Sequence, residues 1–79
     1  MMRSHEKLVK ATKNMRIGNH QVVIKGTYRD FIYFNTVICA VDDDTKTFHC
    51  DNGGWNTPST NRAIGSYRYY FRSIGYDEV

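Results

Sequence analysis

His20-Gln21-Val22-Val23-Ile24-Lys25-Gly26-Thr27-Tyr28-Arg29-Asp30-Phe31-Ile32-Tyr33-Phe34-Asn35-Thr36-Val37-Ile38-Cys39-Ala40-Val41 is the stretch that decides the fold of this chain. It is rich in β-branched and aromatic residues, which lose side-chain freedom in a helix and fit a pleated surface. Gly26-Thr27 and Asn35 punctuate it into His20 to Lys25, Tyr28 to Asn35 and Thr36 to Val41, and Lys46 to Cys50 adds a further run of the same character. The reading is an antiparallel meander of three to four strands, with Tyr28 to Val41 as either two strands or one long strand bent near Asn35. The cluster Asp42-Asp43-Asp44-Thr45 fits a four-residue hairpin loop around a type I turn, its aspartates bonding the backbone, which explains the acidic run without a metal.

Downstream, Asp51-Asn52-Gly53-Gly54-Trp55-Asn56 reads as a loop, because paired glycines and Asx residues supply backbone angles that strands and helices avoid. A helix starts next, with Thr57 as N-cap and Pro58 at the first helical position, where its missing N–H costs nothing. At about 100° per residue, Thr60, Ala63, Ile64, Tyr67, Tyr70, Phe71 and Ile74 share one arc, and Arg62, Arg68, Tyr69 and Arg72 share the other. The aromatic arc should pack on the sheet. Gly75 ends the helix at C′, leaving Tyr76 to Val79 as a short acidic tail.

Upstream, Met1 to Arg16 sets Leu8, Ala11, Thr12 and Met15 at helical spacing against Lys7, Lys10 and Lys13, with Ser4 as a usable N-cap and Gly18 as a stop. This is either a short amphipathic helix or a frayed basic arm, since so short a helix is marginal unless its stripe packs on something. The expected class is therefore α+β: a small three- to four-stranded antiparallel β-meander, a C-terminal helix on one face and a short N-terminal helix. The single domain divides into 1–16 (basic helix or arm), 17–50 (meander), 51–57 (loop) and 58–75 (helix).

With 79 residues, the chain is below the usual domain size, which excludes two domains and makes a large internal cavity improbable. A core this small contributes roughly 3–5 kcal/mol, so partners or self-association would add stability, and a homo-oligomer stays open. Hydrophobic residues at 41% and charged residues at 24% exclude a disordered chain. The net charge of +3 is uneven: Arg3, Lys7, Lys10, Lys13, Arg16, Lys25 and Arg29 face only Glu6 at the start, whereas Asp42, Asp43, Asp44, Asp51, Asp77 and Glu78 come later. Cys39 and Cys50 are too few for a disulfide scaffold and no signal peptide precedes them, so both are expected as reduced thiols of a cytoplasmic protein. No apolar run approaches a bilayer span, so no membrane partner is expected.

Several chemistries fall away on spacing. Gly53-Gly54 precedes a helix but lacks the Lys-Ser/Thr of a phosphate loop and the three spaced glycines of a dinucleotide site, so no cofactor is expected. The helix start around Gly54 to Ser59 could still meet an anion or a partner carboxylate. His49 and Cys50 are adjacent on a strand and point to opposite faces, which argues against a shared metal with His20, Cys39 or His5. Cysteine, histidine and aspartate occur without any catalytic-cysteine signature or nucleophile elbow, so an enzyme is not expected. Arg62, Arg68, Arg72, Lys7, Lys10 and Lys13 supply cations and Tyr69 a stacking surface for nucleic acid, although no helix-turn-helix, zinc finger or ribonucleoprotein motif accompanies them. Trp55, the lone tryptophan, either lies over the core as a lid or projects as an anchor into a partner.

The runs Tyr33-Phe34-Asn35-Thr36-Val37-Ile38-Cys39-Ala40 and Asp51-Asn52-Gly53-Gly54-Trp55-Asn56-Thr57-Pro58-Ser59-Thr60-Asn61-Arg62-Ala63-Ile64 resemble small bacteriophage-encoded proteins of an uncharacterised domain family. The resemblance spans Ile17 to Ile74 and carries no catalytic motif. It implies a phage accessory protein acting in bacterial cytoplasm, in host takeover or anti-defence, as a stoichiometric inhibitor that binds a host or defence protein. The partner-binding surface expected is Gly53, Gly54, Trp55, Asn56 and Thr57, with Arg62 and Tyr69 beside it. A nucleic-acid-binding accessory protein is the alternative.

Overall fold

A computed structural model describes the backbone of residues 3–79 and the side chains from His5 onward. Met1 and Met2, included above in the first helix, lie outside the described residues, and Ser4, expected as its N-cap, is already inside the helix, which starts at Arg3. The chain runs α1 (Arg3–Val9), β1 (Met15–Ile17), β2 (His20–Lys25), β3 (Tyr28–Tyr33), β4 (Thr36–Asp42), β5 (Thr47–Cys50), α2 (Pro58–Ser73) and β6 (Asp77–Glu78). The class is α+β with a helix at each end of the sequence, as expected. Among the described residues the sheet, however, has six strands in the order β1-β2-β3-β4-β5-β6 rather than three or four, and it is mixed, because β6 lies parallel to β5 while every other neighbour is antiparallel.

Both extra strands sit at the edges. Met15 and Arg16, expected as the end of the basic helix or arm, instead join Ile17 in pairing with β2, Met15 opposite Val22 and Ile17 opposite His20. The helix has already stopped at Val9, whose carbonyl accepts a 2.8 Å bond from Arg29 Nη1. Asn14 Oδ1 then accepts the amide of Ile24 at 2.7 Å, extending the ladder by a side chain. At the other edge the acidic tail becomes β6, held by amides of Asp77 and Val79 donating to the carbonyls of Lys46 and Phe48.

Alternation gives the sheet one core face. Val22, Phe31, Cys39, Val41 and Phe48 point into it and are essentially inaccessible. A register shift between Phe31 and Ile32 pairs Phe31 with Cys39 and Ile32 with Val37, so Ile38 bulges and is buried beside Cys39. α2 lays Thr60, Ala63, Ile64, Tyr67 and Phe71 on this face, while Tyr70 is half-buried. Ile74, assigned by periodicity to the packed arc, is 47% exposed because it is the C-cap, where the chain already turns away.

The helix ends follow their sequence signals. Thr57 Oγ1 accepts the Thr60 amide at 3.3 Å with Pro58 in the first turn. At the other end Gly75 takes φ +93°, and the amides of Tyr76 and Gly75 return to the carbonyls of Phe71 and Arg72, the double bond of a Schellman motif.

One cation ties the layers together. Arg29 donates from Nε and Nη2 to both carboxylate oxygens of Asp43 at 2.7 Å, caps α1 at Val9, and lies over the Phe71 ring at 5.2 Å. Tyr76 Oη donates to the same carboxylate. Asp43 thus departs from the turn-bonding role expected of it, which Asp42 alone fills by accepting the amides of Asp44 and Thr45. Among the described residues, no helix is long and apolar enough to cross a membrane.

Candidate functional site

Three of the antiparallel connections are two-residue turns, and all three have a positive φ at the first position alone: Gly18 at 60°, Gly26 at 60° and Phe34 at 54°. That is the sign pattern of a type II′ turn, whose first position favours glycine. Phenylalanine there is a genuine outlier, since a Cβ in the left-handed region crowds the following carbonyl at roughly 1–2 kcal/mol. Phe34 gains little burial in exchange, as the residue is 59% exposed and its ring packs only on that of Tyr33 among the aromatics described, at 4.7 Å.

The loop before α2 is built to lie against this turn. Asp51 and Asn52 accept the amides of Gly53 and Gly54 at 3.1 and 2.8 Å, bending the chain through φ +62° and +88°. A Cβ on Gly53 would collide with the Thr36 methyl, so glycine is needed both for the dihedral and for the close approach to β4. The Trp55 amide donates to the Asn52 carbonyl, and Asn56 Oδ1 accepts from Asn61 Nδ2 at 2.8 Å.

The outcome is a groove of about 530 Å³ with Tyr33, Phe34, Asn35, Thr36 and Ile38 on one side and Trp55, Thr57, Ser59 and Thr60 on the other. Trp55 is 62% exposed, which excludes the core-lid reading. Aromatic rings therefore line a depression whose far end is the start of α2. No acidic residue occupies the first turn of that helix, so its positive end carries no compensating carboxylate.

The wall of the groove leans on a second cluster. Tyr33 stacks on His20 at 4.6 Å, and His20 meets His5 edge-on at 4.5 Å. His5, fully buried on α1, also contacts Tyr67 at 4.9 Å. Neither ring nitrogen of His5 nor the Tyr67 hydroxyl has a hydrogen-bond partner among the described residues. Burial, with repulsion from His20 second, holds the His5 pKa down at about 4, and burial also lowers that of His20. Burial pushes the Tyr67 phenol up.

Of the residues singled out from sequence, Trp55 and Thr57 line the groove while Gly53, Gly54 and Asn56 shape its loop. Arg62 and Tyr69 do not join them. Tyr69, 72% exposed, shares a separate shallow surface with Arg68 and Arg72, and Arg62 is exposed on α2 away from the groove lining. Arg68 and Arg72 both donate to Glu78, at 2.9 and 2.6 Å, and Lys10 pairs with Glu6 at 3.2 Å. Lys7 and Lys13 are exposed on the α1 side, so the expected cations form two dispersed groups. The residues missed were Phe34 and its neighbours; the signal available was the third turn, where Phe stands in the place Gly takes in the other two.

Among the described residues, no three His, Cys, Asp or Glu side chains group as a metal site. Comparison with protein-family models, curated proteins and solved structures finds no match for this chain.

Proposed function

We propose that this chain is a stoichiometric protein-binding module, not a catalyst, and that it captures a bulky apolar side chain of its partner between Phe34 and Trp55. The observation that supports this best is the pair of large, solvent-exposed aromatic rings on one groove, one of them held in a backbone conformation that phenylalanine disfavours. Aromatic anchors dominate binding hot spots, and a loop fixed by glycine bends and a capped helix loses little entropy on binding. The uncompensated positive end of α2 favours a partner segment with a carboxylate next to the inserted side chain. The resemblance to small phage-encoded proteins makes a bacterial host or anti-phage defence protein the proposed target, inhibited in the host cytoplasm by occupancy.

Nucleic-acid binding is the competing reading, and the Glu78 clamp leaves it with weaker support, since two of its three helical arginines already spend their charge within the chain. The test is affinity capture from infected bacterial lysate, with nuclease present, using the wild type, Trp55→Ala and Phe34→Ala. The proposal expects one protein retained by the wild type in near-equal amount and lost with folded Trp55→Ala. Capture abolished by nuclease, or untouched in a folded Trp55→Ala, would overturn it.

A further inference from the structure

Cys39 on β4 and Cys50 on β5 are direct cross-strand partners whose Sγ atoms lie 4.0 Å apart. The Asp51 amide bonds the Ile38 carbonyl at 3.1 Å, just outside the pair, which makes Cys39 and Cys50 a non-hydrogen-bonded pair of the antiparallel ladder. In such pairs the Cα atoms approach to about 4.5 Å and the side chains lean together, inside the span a disulfide bridges. Both side chains are on the core face, and both thiols are free.

The two sulfurs are not equivalent. Cys39 is sealed in the core among Phe31 and Val41, whereas Cys50 is half-buried and opens onto a small cleft of about 300 Å³ lined also by Asp51, Asn52 and Arg68. The Cys39 thiol beside it, and then Arg68, lower the Cys50 pKa against the opposing effect of burial. The hydrogen bond with Cys50 and burial raise that of Cys39. An accessible cysteine with its pKa lowered, backed by a buried cysteine with its pKa raised, is the arrangement of an attacking and a resolving cysteine.

The geometry points to a redox pair in which Cys50 is oxidised by a small hydroperoxide and Cys39 closes a reversible cross-strand disulfide. The Cys50 thiolate attacks one peroxide oxygen, the O–O bond breaks, and the leaving oxygen departs as hydroxide and takes a proton to become water. Cys50 is then a sulfenic acid. Cys39 sulfur attacks Cys50 sulfur, the S–O bond breaks, and the sulfenic hydroxyl, keeping its own hydrogen, takes the Cys39 proton and leaves as water. Two thiols and one hydrogen peroxide give one disulfide and two waters. The sulfurs need only close from 4.0 Å to the bond length of about 2 Å between strands already paired.

Treatment of the native protein with hydrogen peroxide, followed by intact-mass analysis and peptide mapping, tests this. The expected product is a monomer lighter by two hydrogen atoms, with the Cys39 and Cys50 peptides joined and the change reversed by dithiothreitol. In folded Cys39→Ser the sulfenic acid has no resolving partner and dimedone labels Cys50, while in folded Cys50→Ser the remaining Cys39 stays unmodified at the same dose. Should Cys39→Ser not fold, Cys39→Ala replaces it, and the wild-type mapping decides on its own. Disulfides formed only between chains, dimedone adducts on Cys39 in Cys50→Ser, or two unreacted thiols in the wild type at doses that oxidise free cysteine would overturn the proposal.

Discussion

The turns at Gly18-Asn19 and Gly26-Thr27 and the turn at Phe34-Asn35 have the same length and the same backbone sign, yet only the first two carry the residue that this backbone favours. Glycine adopts φ near +60° without a steric penalty. Phenylalanine there costs the fold roughly 1–2 kcal/mol and leaves an exposed side chain lining the groove that Trp55 also lines. A similar division separates other aromatics: Phe31, Phe48, Tyr67 and Phe71 are wholly buried, and of the four that are more than half exposed, Tyr28, Phe34, Trp55 and Tyr69, only Phe34 and Trp55 line the groove. One set holds the chain together. We propose that the other binds.

The largest effect should come from crossing that division. Phe71→Ala, which removes a ring packed on Phe31, Phe48 and Tyr76, is expected to lower unfolding free energy by about 3–5 kcal/mol, against about 0.5 kcal/mol or less for Trp55→Ala. Denaturant titrations of the two variants compare them directly, and equal losses would break the comparison.

A smaller effect follows from the histidine behind the groove wall. Because the His5 pKa falls from 6.5 to about 4 in the fold, the unfolded chain binds more protons between those values, and stability drops as pH falls through that window. The full contribution is present above about pH 6.5, and a loss of about 2–3 kcal/mol accumulates by pH 4. Denaturation midpoints across that range should follow this slope, and His5→Leu should flatten it. Two carboxylates act at lower pH. Burial of Asp43 is outweighed by Arg29 and Tyr76, and Arg68 holds Glu78 down, so their contributions disappear only below the usual carboxylate range.

Replacing Phe34 by Gly makes the third turn like the first two. The expected outcome is a gain of about 0.5–1 kcal/mol in stability together with weaker partner capture. A loss of stability would show that the ring serves the fold after all. The smallest effects belong to Arg62→Ala and Tyr69→Ala, which lie off the groove and should leave both the melting temperature and capture near wild type.

Local signals carried much of this architecture. Thr57, Pro58 and Gly75 mark the ends of α2 through bonds to near neighbours, and β-branched runs separated by two short turns and the Asp-rich loop mark β2 to β5. The edges escaped because their structure is made by partners distant in sequence. Leu8, Ala11 and Met15 fit a helical period, and only pairing with β2 turns Met15–Ile17 into a strand. Asp77–Glu78 reads as a tail until β5 and the α2 arginines hold it. Within the candidate site, the glycine bends and Trp55 were legible, whereas Phe34 was not, since its apolar character suits a strand core and only the turn reveals its exposure.

Trp55 is the only tryptophan, so its fluorescence reports the site without labels. The most direct measurement is its emission and iodide quenching in the folded protein, alone and after titration with the captured partner. The account predicts a red-shifted, readily quenched tryptophan in the free protein that shifts to the blue and is shielded when the partner binds. A blue-shifted, protected tryptophan in the free protein, or one whose emission and quenching stay unchanged at saturating partner, would contradict it.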